Sequence, residues 1–140
     1  MSEGNVSPDI RTQFKALNIP PRSFQAGGVY LTKDPNVLMP GRNHIEDKPR
    51  LVIAMGNQQI LEDPLEPVIS VIPITTVNSD SGQDLQVNAG TANLNKNSYL
   101  KTGMLQPILK TDLDKCIGVM DNSTFEQLKS TVLMTLGFFD

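Results

Sequence analysis

The stretch His44–Asn57, "HIEDKPRLVIAMGN", decides how the chain is read. Polar and charged residues run straight into "LVIAM", which has no polar break. "RLVIAM" therefore reads as a strand with no wet face, the pattern of a strand covered on both sides. Pro49 locks its own backbone and restricts that of Lys48, so Lys48-Pro49-Arg50 marks the strand start. The strand period of two puts Lys48 and Arg50 on the same side. These two cations either open a strand or act on a substrate.

Outward from this strand the pattern repeats. Upstream, "AGGVYLTK" reads as a first strand from Gly28 to Thr32. The connection "KDPNVLMPGRNHIEDKP" holds Pro35, Pro40, Gly41 and Pro49, and a polar loop of this length in a small domain is usually functional or disordered. Downstream, "GNQQILEDPLEP" reads as a turn or irregular hairpin. "VISVIPI" is a third buried strand, with Pro73 suggesting an edge or a bulge. A polar turn, "TTVNSDSGQD", leads to "LQVNAG". "NLNKNSYLKTGMLQPILK" suggests a further strand pair around Lys101–Gly103, and "KCIGVM" a last strand with Cys116 in the core.

The C-terminal end carries helix signals. Ser123 and Glu126 fit a capping box, Phe125, Leu128, Val132, Leu133 and Leu136 form an apolar stripe, and Gly137 is a helix stop. A helix over about Thr124–Leu136 is expected. Residues 1–26 read as an extension. Ser7 caps a short helix there, Pro8 opens it, Ile10, Phe14 and Leu17 share one face, and Pro20 and Pro21 end it. Residues 27–140 then form one domain. Strands joined by turns and closed by a helix favour a small antiparallel barrel with the helix packed across it.

The chain has 140 residues, 39% hydrophobic and 19% charged, which suits one compact domain. No apolar run reaches the length of a membrane span, and the N-terminus lacks the features of a signal peptide, so a cytoplasmic location with no membrane association is expected. One cysteine and one histidine exclude a disulfide framework and a structural zinc site. The net charge of −3 argues against a bulk-basic nucleic-acid binder. Basic residues nevertheless exceed acidic ones over residues 1–60. Between Asp84 and Asp112 the charges are Lys96, Lys101 and Lys110 alone. The two acids of "DSGQD" are too few to make a calcium loop.

Five segments in order resemble the PemK/MazF toxins. "GGVYLTKDP" resembles their "GDVY…DP" opening, and "KPRLVIAMGN" their "RPxLVIS" strand. "VISVIPITT" is similar to "…VAPITS", "LNKNSYLKTGMLQPI" to their segment ending in Gln, and "IGVMDNSTFEQLKSTVLMTLGF" to their last strand and closing helix. The resemblance spans about residues 27–138. It implies an SH3-like barrel, a homodimer, cofactor-free and metal-independent cleavage of single-stranded RNA by attack of the ribose 2′-OH, and restraint by a cognate antitoxin protein.

Such chemistry needs a base, an acid and donors for the crowded phosphate. The resemblance places Thr75 at the family's threonine and Lys48 at its arginine, with Arg50 two residues on as a displaced substitute. The Arg and Asp that some members carry before the later Gln are absent from "TGMLQP". His44 is then the expected proton carrier, since its ordinary pKa lies close to neutrality. Arg42, Thr76, Tyr99 and Lys101 are the expected RNA contacts, Tyr99 by stacking a base. Glu46 and Asp47 are solvated loop charges or orient Lys48 or Arg42. Two other readings stay open at this point. One is the same barrel with an eroded centre, acting as a protein- or nucleic-acid-binding module. The other is an inhibitor of a protein target such as a topoisomerase.

Overall fold

A computed structural model describes residues 24–39, 48–77 and 84–138. The expected N-terminal helix, Arg42, His44, Glu46, Asp47 and Asp80 lie outside the described residues. Among the described residues are seven strands: β1 (Gly28–Lys33), β2 (Pro49–Met55), β3 (Val68–Thr75), β4 (Leu85–Val87), β5 (Ser98–Leu100), β6 (Gln106–Leu109) and β7 (Cys116–Val119). They are joined by the short helix α1 (Gln58–Glu62) and the terminal helix α2 (Asn122–Thr135). All pairings are antiparallel, in the order β4-β5-β3-β2-β1-β7, with β6 also on β3. The sheet curls into a half-barrel, so the fold is mainly β with a C-terminal helix, as expected.

The unbroken apolar run of β2 has a direct cause. Its alternate residues enter two different cores. Ile53 packs with Val29, Ile72, Leu100 and, from α2, Leu128 and Val132. Val52 and Ala54 pack with Tyr30, Val71, Leu61 and Phe24 on the opposite face. Phe24 lies in sequence before the expected domain start, yet it is buried and stacks edge-on against Tyr30 at 5.1 Å.

The segment around Lys101–Gly103 departs from expectation. It is not a strand pair. β5 and β6 both lie against β3, end to end, broken by a tight turn at Thr102–Met104. Pro73 explains the break. Its carbonyl accepts from Lys101 N–H, so its ring nitrogen faces this same gap, where a missing donor leaves no bond unmade. Pro73 thus sits in a central strand without a bulge, rather than at an edge.

"GNQQILEDPLEP" contains a helical turn rather than a hairpin. Asn57 caps α1 by accepting from Gln59 N–H. At the other end Lys110 Nζ donates to the carbonyls of Ile60 and Asp63 at 3.0 and 2.7 Å. Burial lowers the Lys110 pKa, while Asp63 and Glu66 pull it back up.

The two ends of the sheet are tied by a loop. The turn Thr91–Asn93, just after β4, lies on β7, where Asn93 Nδ2 donates to the Ile117 carbonyl at 2.8 Å. Ala92 and Asn93 both have positive φ. Gly118 makes the contact possible: a Cβ there would stand 2.2 Å from the Ala92 carbonyl oxygen. Cys116, on the same strand, is exposed rather than in the core, because β7 ends the sheet.

Helix α2 starts two residues earlier than the Ser123 reading. Its cap is Asp121, whose carboxylate accepts from Thr124 N–H and Thr124 Oγ1. Glu126 instead pairs with Lys129. Leu128 and Val132 are buried, but Leu133 and Leu136 are exposed, so the core stripe is narrower than the sequence suggests. Gly137, at φ 86°, ends the helix as expected, with Gly137 N–H bonding Met134 and Phe138 N–H bonding Leu133.

Candidate functional site

Strand register assembles the candidate residues. Leu51 faces Ile74, so the next step of that ladder sets Arg50 against Thr75. Thr75 faces Tyr99, Tyr99 faces Gln86, and Arg50 faces Thr32 on β1. Directly opposed residues share a face of the sheet. Thr32, Arg50, Thr75, Tyr99 and Gln86 therefore form one polar row across five strands. On the same face Tyr30, Val52 and Val71 belong to the core. The row marks where apolar cover ends.

Arg50 is anchored in this row. Its Nε donates to Asp34 Oδ1, and the two side chains are only 11% and 1% exposed. Asp34 opens a tight turn, Asp34–Asn36, with Pro35 in its first positions. The Asp34 N–H also donates to the Lys48 carbonyl at 2.8 Å. One residue thus holds the backbone before Pro49 and the guanidinium after it. Binding through Nε leaves the two Nη groups as further donors in a fixed plane. Among the described residues no carboxylate pairs with Lys48.

A cleft of about 350 Å³ is bordered by Lys48, Pro49, Arg50, Thr75, Thr76 and Ser98. Thr75 is buried, and its Oγ1 accepts from Val77 N–H at 3.1 Å. A hydroxyl that accepts this bond keeps its own proton to donate. Ser98 is buried with its hydroxyl given to the Lys96 carbonyl. Pro49 also borders a second cleft of about 650 Å³.

The other sequence candidates are placed unevenly. Thr76 is exposed at the cleft, and Tyr99 is half-buried in the polar row. Lys101 does not border the cleft. It is buried, and its Nζ forms an ion pair with Asp84 at 3.0 Å. Arg42 and His44 lie outside the described residues. Among the described residues no three His, Cys, Asp or Glu side chains group as metal ligands.

Three residues of this region are invisible to single-site reasoning. Asp34 carries the "DP" of the first resembling segment, which was the available signal. Thr32 reads as an ordinary strand threonine. Gln106, the family's later Gln position, has a supporting task here: its amide accepts from Leu38 N–H at 2.7 Å and donates to the Leu38 carbonyl at 3.1 Å. It fastens the segment after the Asp34 turn to the sheet.

The fold is that of solved MazF-type endoribonuclease toxins. The chain is similar to the Mycobacterium tuberculosis toxin MazF-mt6 at 21% identity and a TM-score of 0.60, covering 78% of this chain and 95% of that one. It matches MazF from Deinococcus radiodurans at 8% identity and a TM-score of 0.62, covering 83% and 98%. An endoribonuclease solved in complex with its cognate antitoxin from a mycobacterial species matches at 12% identity and 0.63, covering 84% and 99%. No family model and no curated protein matches the chain. At these identities the likeness carries the fold. No helix among the described residues is long and apolar enough to cross a membrane.

Proposed function

We propose that the protein is a toxin-like endoribonuclease that cleaves single-stranded RNA by attack of a ribose 2′-OH, without a metal ion or other cofactor. The observation that carries this reading is the grouping of Lys48, Arg50 and Thr75 at one cleft of a MazF-type fold. Lys48 and the Nη groups of Arg50 stabilise the crowded phosphate, and Thr75 donates its hydroxyl proton to a phosphate oxygen. Asp34 keeps the Arg50 guanidinium in the plane that suits two phosphate oxygens. His44, four residues before Lys48 in sequence, takes the 2′-OH proton as the O2′–P bond forms and gives it to the 5′ oxygen as the P–O5′ bond breaks. Arg42 and Thr76 hold the strand, and Tyr99 stacks a base beside Thr75. Lys101, buried and paired with Asp84 outside the cleft, takes no part in holding the strand. On this reading the protein works in the cytoplasm as a homodimer, and a cognate antitoxin restrains it; the antitoxin complex of a mycobacterial structural neighbour supports that last part.

The test is incubation of purified protein with a long RNA in excess chelator. Arg50→Ala, Lys48→Ala and Thr75→Val should each slow cleavage by about a hundredfold or more, with much smaller effects on binding. Cleavage that survives the combined loss of Lys48 and Arg50 places the chemistry elsewhere. An intact protein that binds RNA in a salt-dependent way and never cuts it is the eroded module instead.

A further inference from the structure

We propose that the larger cleft beside Pro49 is a nucleobase pocket that selects an amino-bearing base through Asp112; this rests on the RNA-cleaving reading above. Its volume of about 650 Å³ lies within the usual range for small-ligand sites. It shares Pro49 with the smaller cleft, so a nucleotide whose phosphate sits at Lys48 and Arg50 has this space as its neighbour.

The border is mixed. Leu31 and the exposed ring of Pro49 offer apolar surface to a base face. Among the described residues Asp112, Asp114 and Lys33 are the charged side chains on this border. Carboxylates repel phosphate, so the cleft suits the part of a nucleotide that is not charged. Single-stranded RNA is recognised by splaying out bases and bonding their edges.

The cleft is also fixed relative to the smaller one by hydrogen bonds. Thr32, which faces Arg50 across the ladder, donates through Oγ1 to the Asp112 carbonyl at 2.7 Å. Asn36 Nδ2 donates to the same Thr32 oxygen at 3.1 Å. The Asp34–Asn36 turn therefore braces both clefts: Asp34 holds Arg50, and Asn36 holds the Thr32–Asp112 link.

An ionised aspartate only accepts hydrogen bonds. It matches the exocyclic amino groups of cytosine, adenine and guanine, as in known aspartate–cytosine pairing. Uracil offers one N–H flanked by two carbonyl oxygens, which a carboxylate repels. The pocket should therefore discriminate against uracil at one position of the bound strand.

The experiment selects binders from a randomised 2′-O-methyl RNA pool, which cannot be cut, using the full-length protein at matched salt. Wild type should disfavour uracil at one position. Asp112→Asn, whose amide both donates and accepts, should weaken that preference by roughly ten- to a hundredfold while other positions keep theirs. The Lys48→Ala/Arg50→Ala double variant should bind all sequences more weakly with the preference intact. A melting temperature matching wild type shows that Asp112→Asn is folded. Unchanged preference in Asp112→Asn, or no base preference in wild type, overturns the pocket. Because the pool resists cleavage, a protein that never cuts RNA refutes the nuclease reading while the base preference still decides the pocket.

Discussion

Replacing Asp34 with alanine removes the only described partner of the Arg50 Nε while leaving the guanidinium at a site 11% exposed. Losing one member of a buried ion pair costs about 3–5 kcal/mol, because the other charge is stranded away from water. Arg50 lies beside a cleft, so some of its charge can turn toward solvent, and the lower end of that range applies. With a urea m-value of about 2 kcal/mol/M for a domain of this size, a loss of about 3 kcal/mol moves the midpoint by about 1.5 M. Urea unfolding followed by far-UV circular dichroism measures it. Asp34→Leu combined with Arg50→Met removes both charges of the pair and should be less destabilising than Asp34→Ala alone, since no guanidinium is left stranded. A single-variant shift under about 0.5 M, or a double variant no better than the single, would refute the claim that this pair is a desolvated anchor.

Two further outcomes follow from local geometry. The bonds from Thr124 hold the Asp121 carboxyl below its usual 3.8, so it stabilises the fold above that pH and the contribution fades as pH falls through the lowered value. Asp121→Asn keeps an oxygen acceptor but does not titrate, so the difference in melting temperature between wild type and variant should shrink below pH 4; a difference constant from pH 7 to pH 2 contradicts the cap. Gly118→Ala puts a methyl 2.2 Å from the Ala92 carbonyl oxygen, which is backbone and cannot swing away. It should cost about 1–3 kcal/mol in urea unfolding, as overpacking does, and a neutral result means that the turn does not tie the sheet ends.

Much of the frame is legible in the sequence because its signals are local. β1, β2 and β3 are strong apolar runs between turn residues, and α2 has its stripe and its glycine stop. The errors fall where the deciding partner is distant. β5 and β6 look like a pair until β3 is known to lie against both. α1 spans only Gln58–Glu62 and relies on Lys110, far along the chain, to close its end. Asp121 and Ser123 are both good caps, and the sequence does not separate them. Cys116 is a small apolar residue in a strand, but its strand ends the sheet. In the candidate site, period-two spacing relates Lys48 to Arg50, whereas Asp34 joins them only through the ladder between β1 and β2.

The lysine at the family's arginine position gains a physical context from that ladder. A lysine is a compact point charge on a flexible stem and does not set the plane of a phosphate. Arg50 does have a set plane, because Asp34 takes its Nε, and it borders the same cleft as Thr75, one step past the Leu51–Ile74 rung. Among the described residues Lys48 is held through its backbone carbonyl, by Asp34 N–H, and no carboxylate offsets its charge. On the proposed reading the two cations therefore divide one task. Arg50 orients the phosphate against Thr75, and Lys48 supplies mobile positive charge as the phosphate crowds. This division ranks their conservative replacements. Arg50→Lys loses the planar donor pair and the Asp34 geometry together, so it should slow cleavage nearly as much as Arg50→Ala. Lys48→Arg keeps the charge and adds donors, so it should retain most of the rate. Equal losses for the two conservative changes, measured as single-turnover cleavage in chelator, would mean that position 50 holds no special orientation and that Asp34 serves stability alone.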